Sequence, residues 1–265
     1  MRALVLFADE AKTRAVNLSA RLIWPFCGLL WLSLAPPAAG AAPPAASAWV
    51  SVPVQRFRFD AGAPLAAPAE VAPDGTICVG TVDGYVHGLG SDGSFLWSRS
   101  VKGAVTRRPH FIGQRWFIAT NTQRIYALNR DGSLSWTFQL YSPVESELAS
   151  DASGTLYFVA ADQFLYGLSA RGAVSLRTRF RPGMKPELAL SEPDTLRDPD
   201  GNAWRGRSDG VLEYRGASAE AATLLPLASS ALLPPAWSPA SRLAVVSARS
   251  GLVFGLDPVR IRPNR

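Results

Sequence analysis

One block of about 40 residues recurs five times along the chain, and few folds accept such a period. The first copy reads PDGTICVG over Pro73–Gly80, DGYVHGL over Asp83–Leu89 and DGSFLW over Asp92–Trp97. The second reads QRWFIA over Gln114–Ala119, QRIYAL over Gln123–Leu128 and DGSLSW over Asp131–Trp136. The third reads GTLYF over Gly154–Phe158, QFLYGL over Gln163–Leu168 and RGAVSL over Arg171–Leu176. The fourth and fifth are looser: PDGNAW over Pro199–Trp204 with DGVLEY over Asp209–Tyr214, and RLAVV over Arg242–Val246 with SGLVFGL over Ser250–Leu256. Taking the place of Gly84 as a marker, the copies fall at 84, 123, 163, 210 and 251, at intervals of 39, 40, 47 and 41. The long interval holds an insertion around Ser191 to Arg197.

Each block reads as β-structure. Its apolar runs are short and rich in Val, Ile, Tyr, Phe and Trp. Asp-Gly pairs or their substitutes separate them, supplying the positive φ of hairpin turns. A further short strand precedes each block, at 69–72, 109–112, 146–149, 186–189 and 235–238, which makes four strands per repeat. Helix signals are nearly absent; only 217–233 resembles one. Four antiparallel strands in about 40 residues describe a propeller blade, whose sheet cannot bury both faces alone and gains stability by stacking on its neighbours. The expected fold is all-β, a β-propeller of about five four-stranded blades spanning 49–258. Residues 49–59 resemble the strands that begin at Trp97 and Trp136, and the fifth repeat ends near Asp257 without such a strand. The N-terminal strand is therefore expected to close the last blade. A basic tail, with Arg260, Arg262 and Arg265, occupies 259–265.

Residues 1–48 read differently. Lys12, Arg14 and Arg21 precede an apolar run from Leu22 to Ala35, and a tract of small residues follows from Pro36 to Ala48. This is the order of a secretory signal, with candidate cleavage sites at Ala39-Gly40-Ala41 and Ala46-Ser47-Ala48. The run is short of the roughly 20 residues a membrane span needs and contains Pro25. The expectation is an exported protein, periplasmic or extracellular, with no integral membrane span after cleavage; the alternative is that 22–35 is retained as an anchor for a ligand-sensing domain. Cys27 sits inside the apolar run, preceded by bulky Trp24-Pro25-Phe26, so lipid attachment there is not expected. Cys78, alone beyond the signal, provides neither a disulfide framework nor a zinc site.

Chemistry is sparse. The net charge is +6, but the basic residues are scattered, without the clustered basic face that nucleic-acid binding requires. There are two histidines. His87 holds a strand position filled elsewhere by Tyr126, Tyr166, Glu213 and Phe254, and His110 opens an inner strand; together they offer no metal spacing. Gly206-Arg207-Ser208-Asp209-Gly210 matches the hydrolase elbow Gly-x-Ser-x-Gly in letters only. The residues directly after it are strand-like, and no His lies downstream. Asp198 to Asn202 has the look of a calcium loop but aligns with the turn at Pro73–Gly75 and lacks the later Glu. No catalytic, metal or cofactor-binding residue is therefore expected, and no cofactor. Glu70, Glu147 and Glu187 fall at similar places in three innermost strands, which line the channel of a propeller. They are the candidate binding residues, either facing water and Arg or capturing a cationic ligand or a partner's basic segment.

The stretch from Asp74 to Trp97 resembles the repeat of the PQQ-like (quinoprotein-type, BamB-like) propeller family, and the second and third copies match it in part. The resemblance implies the propeller fold over most of 50–257. It leaves the chemistry open, because the family holds both quinone-dependent dehydrogenases and non-catalytic envelope propellers. The dehydrogenases are much larger eight-bladed rings with a calcium-held cofactor. The expected function is a non-enzymatic protein–protein interaction scaffold in the cell envelope, with protein partners. The alternative is a cofactor- or ligand-binding propeller, either quinone-dependent or a sensor.

Overall fold

A computed structural model describes residues 50–181 and 195–261, and among them every regular element is a strand. The described residues open with β1 (Val50–Asp60). Sheet I follows as β2 (Glu70–Val71), β3 (Ile77–Gly80), β4 (Tyr85–Leu89) and β5 (Phe95–Ser100). Sheet II holds β6 (His110–Ile112), β7 (Arg115–Thr120), β8 (Arg124–Asn129) and β9 (Leu134–Gln139). Sheet III holds β10 (Ala149–Ser150), β11 (Leu156–Val159), β12 (Phe164–Leu168) and β13 (Val174–Arg179). Sheet IV holds β14 (Thr195–Arg197), β15 (Ala203–Gly206), β16 (Val211–Arg215) and β17 (Thr223–Pro226). Sheet V contains β18 (Ala236–Ser238), β19 (Leu243–Ser247) and β20 (Leu252–Ile261), and its fourth strand is β1, antiparallel to β20. The result is five four-stranded antiparallel sheets, an architecture consistent with a propeller. The helix-like stretch at 217–233 instead contributes β17.

The turns follow the repeat. All five marker positions adopt positive φ: Gly84, Gly210 and Gly251, but also Gln123 (62°) and Gln163 (64°), where a side chain is disfavoured. A second recurring device joins outer strands to neighbouring sheets. The Trp97 ring lies where a Cβ on Gly88 of its own sheet or on Gly132 of sheet II would stand, 2.1 and 2.5 Å away. Trp136 covers Gly172 of sheet III in the same way and donates its indole N–H to the Ala170 carbonyl at 3.0 Å. Phe57 of β1 covers Gly255 in sheet V and Gly93 in sheet I. In each case a glycine lets an aromatic ring lie flat on the backbone. Sheet III has Leu176 at this place, about one-third exposed.

Apolar side chains fill four of the seams between successive sheets. Cys78 and Val86 meet Trp116 and Ile118 between sheets I and II. Phe117 and Ile125 meet Phe158 and Tyr166 between II and III. Trp204 and Tyr214 meet Phe254 and Leu256 between IV and V, and Val245 and Val253 meet Ile77 and Leu89 between V and I. Among the described residues no such cluster joins sheets III and IV; Ala149, Val159 and Leu165 form one within sheet III alone. Cys78 is fully buried, and burial, then the nearby Glu70 carboxylate, raises its thiol pKa well above the usual value.

Candidate functional site

One edge of each sheet, at β2, β6, β14 and β18 and at the residues just before β10, borders a common cavity of about 560 Å³. Its walls come from Glu70 and Val71, Arg108 to His110, Glu147 and Leu148, Thr195 to Arg197, and Pro235 to Trp237. Glu70 and Glu147 thus line a common cavity. Glu187 lies outside the described residues. Sequence spacing sets the inner strand of the fourth repeat at 186–189, but the strand paired to β15 is Thr195–Arg197, inside the stretch read as an insertion. The turn Asp198–Gly201 connects β14 directly to β15, as Pro73–Gly75 connects β2 to β3, and that local connection fixes the pairing.

Ladder register separates the two carboxylates. Glu70 pairs with Cys78, at the level where sheet II has His110 paired with Phe117 and sheet III has Ala149 paired with Tyr157. Glu147 stands two residues earlier, level with Arg108 of sheet II. Two residues of strand span roughly 6–7 Å, so the acids occupy different heights along the cavity. Between them, Arg108 approaches Glu70 at 3.5 Å, with both side chains largely buried. With Arg197 also on the wall, the described lining holds two acids and two bases. This balance suits an extended segment bearing both charges better than a simple cation.

His110 projects from β6 and shares a 2.8 Å hydrogen bond between Nε2 and the Ser150 hydroxyl of sheet III. Burial lowers its pKa to about 4, leaving the imidazole neutral near pH 7. Sequence inspection placed this residue on an inner strand but had no means to detect its link to Ser150, 40 residues away. His87 is elsewhere, on β4 among Phe59, Tyr85 and Phe95, with ring centroids 5.9 to 6.4 Å apart. Burial lowers its pKa too, with Asp83 opposing the shift.

The remaining motifs resolve into turns. The buried Asp198 carboxylate accepts hydrogen bonds from the Asn202 backbone N–H and side-chain amide and from the Trp204 indole, which occupies it with the chain's own donors. Ser208 lies in the turn between β15 and β16, where Arg207 and Asp209 form an ion pair at 2.8 Å. Among the described residues no group of three or more His, Cys, Asp or Glu is placed to hold a metal ion, and no helix is long and apolar enough to cross a membrane.

No curated protein matches the chain. Among solved structures, the crystal structure of BamB from Moraxella catarrhalis is similar to it, with 12% identity and a TM-score of 0.48, over 77% of this chain and 91% of that one. A family model described as outer membrane protein assembly factor BamB matches residues 46–180, from just before β1 to the end of sheet III. That match covers half of the sequence, and the chain belongs to the BamB family of PQQ-like repeat proteins.

Proposed function

We propose that this protein is an exported, non-catalytic propeller that acts as a protein–protein interaction scaffold in the cell envelope. The observation that carries the reading is the family match to an outer membrane protein assembly factor over 46–180. The geometry agrees with it: one edge of each of the five sheets borders one cavity of balanced charge, and rigid sheets hold many loops at their ends. In this reading residues 1–48 are the secretory signal, 49–258 the propeller and 259–265 a basic tail. Glu70, Glu147 and Glu187 would face a partner segment entering the channel. The test is affinity capture from envelope extracts with the tagged protein, comparing it with the Glu70→Gln, Glu147→Gln, Glu187→Gln variant. Loss of captured partners with unchanged melting supports the channel as the binding site; an identical capture profile rejects it. Recovery of the wild-type protein solely in the cytoplasmic fraction would reject the envelope role.

The same reading makes β1 the strand that closes the ring. Its pairing with β20, the Arg56–Asp257 ion pair and the seating of Phe57 on Gly93 support this. A chain starting at Gly62 is expected to lose cooperative unfolding altogether. Melting like the wild-type would sink the closure scheme.

A further inference from the structure

The face that sheet IV turns away from sheet V differs from its counterparts. Two cross-strand pairs define it in every sheet. They are Ile77 with Leu89 and Val79 with His87 in sheet I, and Trp116 with Leu128 and Ile118 with Tyr126 in sheet II. Sheet III has Leu156 with Leu168 and Phe158 with Tyr166; sheet V has Ala244 with Leu256 and Val246 with Phe254. Sheet IV has Ala203 with Arg215 and Arg205 with Glu213. β14 adds Arg197, opposite Ala203. Three adjacent strands therefore each place one arginine on this face. Arg197 and Arg215 flank the small Ala203, and Arg205 lies two residues along, so all three long side chains can reach a point above Ala203.

The arginines line a cavity of about 290 Å³ together with Glu213 and the backbone around Gly201 and Gly216. All three are exposed. Among the described residues none of them forms an ion pair or hydrogen bond, whereas Arg177, Arg207 and Arg242 are each paired with an aspartate. Three arginines against the single carboxylate of Glu213 leave an excess of two positive charges on this face, an arrangement that an anion would relieve.

We propose that this face of sheet IV binds a phosphoryl group carried by a small molecule. A phosphate monoester carries a charge of about −1.5 to −2 and three acceptor oxygens. That matches three guanidinium forks whose charge, offset by Glu213, is two positive overall. A carboxylate, with two oxygens, is filled by one or two forks and leaves the third without a partner. The cavity volume admits a phosphate ester of modest size. This inference does not depend on the scaffold reading: the two cavities share Thr195 and Arg197, but Arg205, Arg215 and Glu213 line only this one of the two, and it needs no protein partner.

The test is isothermal titration of the full protein with inorganic phosphate and with pyrophosphate at low ionic strength. Saturable one-to-one binding is expected, weakened at least tenfold in Arg205→Gln and in the Arg197→Gln, Arg215→Gln pair. Arg205→Lys, which keeps the charge but loses the fork, should weaken it by less. Arg58→Gln, on β1, should bind as the wild-type does. Matching melting temperatures show that the variants fold. No saturable binding by the wild-type, or equal affinity in Arg205→Gln, overturns the proposal. So does binding to phosphatidylglycerol vesicles with neither soluble probe binding, because that reports a broad basic surface and not a cavity.

Discussion

Between sheets II and III, Phe117, Ile125 and Ala127 of one sheet lie against Leu156, Phe158 and Tyr166 of the next. At the positions of those last three, sheet IV carries Ala203, Arg205 and Glu213. Both sheets are four-stranded antiparallel ladders with a left-handed residue in each of their first two turns (Gly154 and Gln163, Gly201 and Gly210), yet one face is dry and the other open to water. Backbone pattern and interface chemistry are therefore separate properties of the repeat. A copy can keep the turn that makes it a sheet while changing the side chains that bind it to its neighbour. Sheet IV holds its place through its other face, where Trp204 and Tyr214, ring centroids 4.5 Å apart, pack toward sheet V. The family match ends at residue 180, just before this divergence.

Core truncation gives the sharpest contrast. Phe158→Ala removes a fully buried ring and is expected to cost about 3–5 kcal/mol in urea unfolding. Arg205→Ala, at the equivalent position, should stay within about 0.5 kcal/mol. Similar penalties at both would mean that the sheet IV face is core after all.

Acid should act through His110, which bonds Ser150 across the boundary between sheets II and III. Because the folded pKa of His110 is about 4 against 6.5 for the free side chain, the unfolded chain binds the extra proton between those values. Its contribution to stability is complete above pH 6.5 and falls toward pH 4, by at most about 1.4 kcal/mol per pH unit. Urea midpoints measured across pH 4–7 should show the fall, and His110→Asn should flatten it. A slope that the substitution leaves unchanged would assign acid sensitivity to other groups.

Two glycines separate docking from backbone strain. Gly132 and Gly201 both have φ near 80°, so alanine at either costs about 1–2 kcal/mol of left-handed strain. At Gly132 the new methyl also meets the Trp97 ring at 2.5 Å, whereas at Gly201 the nearest atom is Ala217 Cβ at 3.4 Å. Gly132→Ala should therefore be the more destabilising in thermal melts. Equal penalties would remove the Trp dock as a stabilising device. The smallest effect should be a gain: Gln123→Gly, at φ 62°, relieves strain by roughly 0.5–1 kcal/mol.

Much of this organisation is legible in the sequence because turns are local. Asp-Gly pairs and their spacing mark the hairpins, and all five marker residues have the left-handed backbone that the repeat requires. The charged face of sheet IV is also written there, since Glu213 stands where Tyr126 and Tyr166 stand. Its meaning emerges only when the ladder adds Arg197 and Arg205 to the same face. Less legible is whatever depends on registering one strand against another. The inner strand of sheet IV is Thr195–Arg197 because its own turn leads into β15, a preference that a three-residue strand of Thr, Leu and Arg does not announce. The two-residue offset between Glu70 and Glu147 has the same origin: their flanking residues look alike, but the pairing partners differ.

Sheet V joins residues 201 positions apart, as Arg56 meets Asp257. During synthesis β1 emerges early and must wait, its apolar residues Val52, Phe57 and Phe59 uncovered, until the ribosome has delivered β20. Contacts so distant form late because the entropy of the long intervening loop opposes them. Early folding of the repeats would leave this strand dangling, so a helper that keeps the nascent chain extended would favour correct assembly over aggregation.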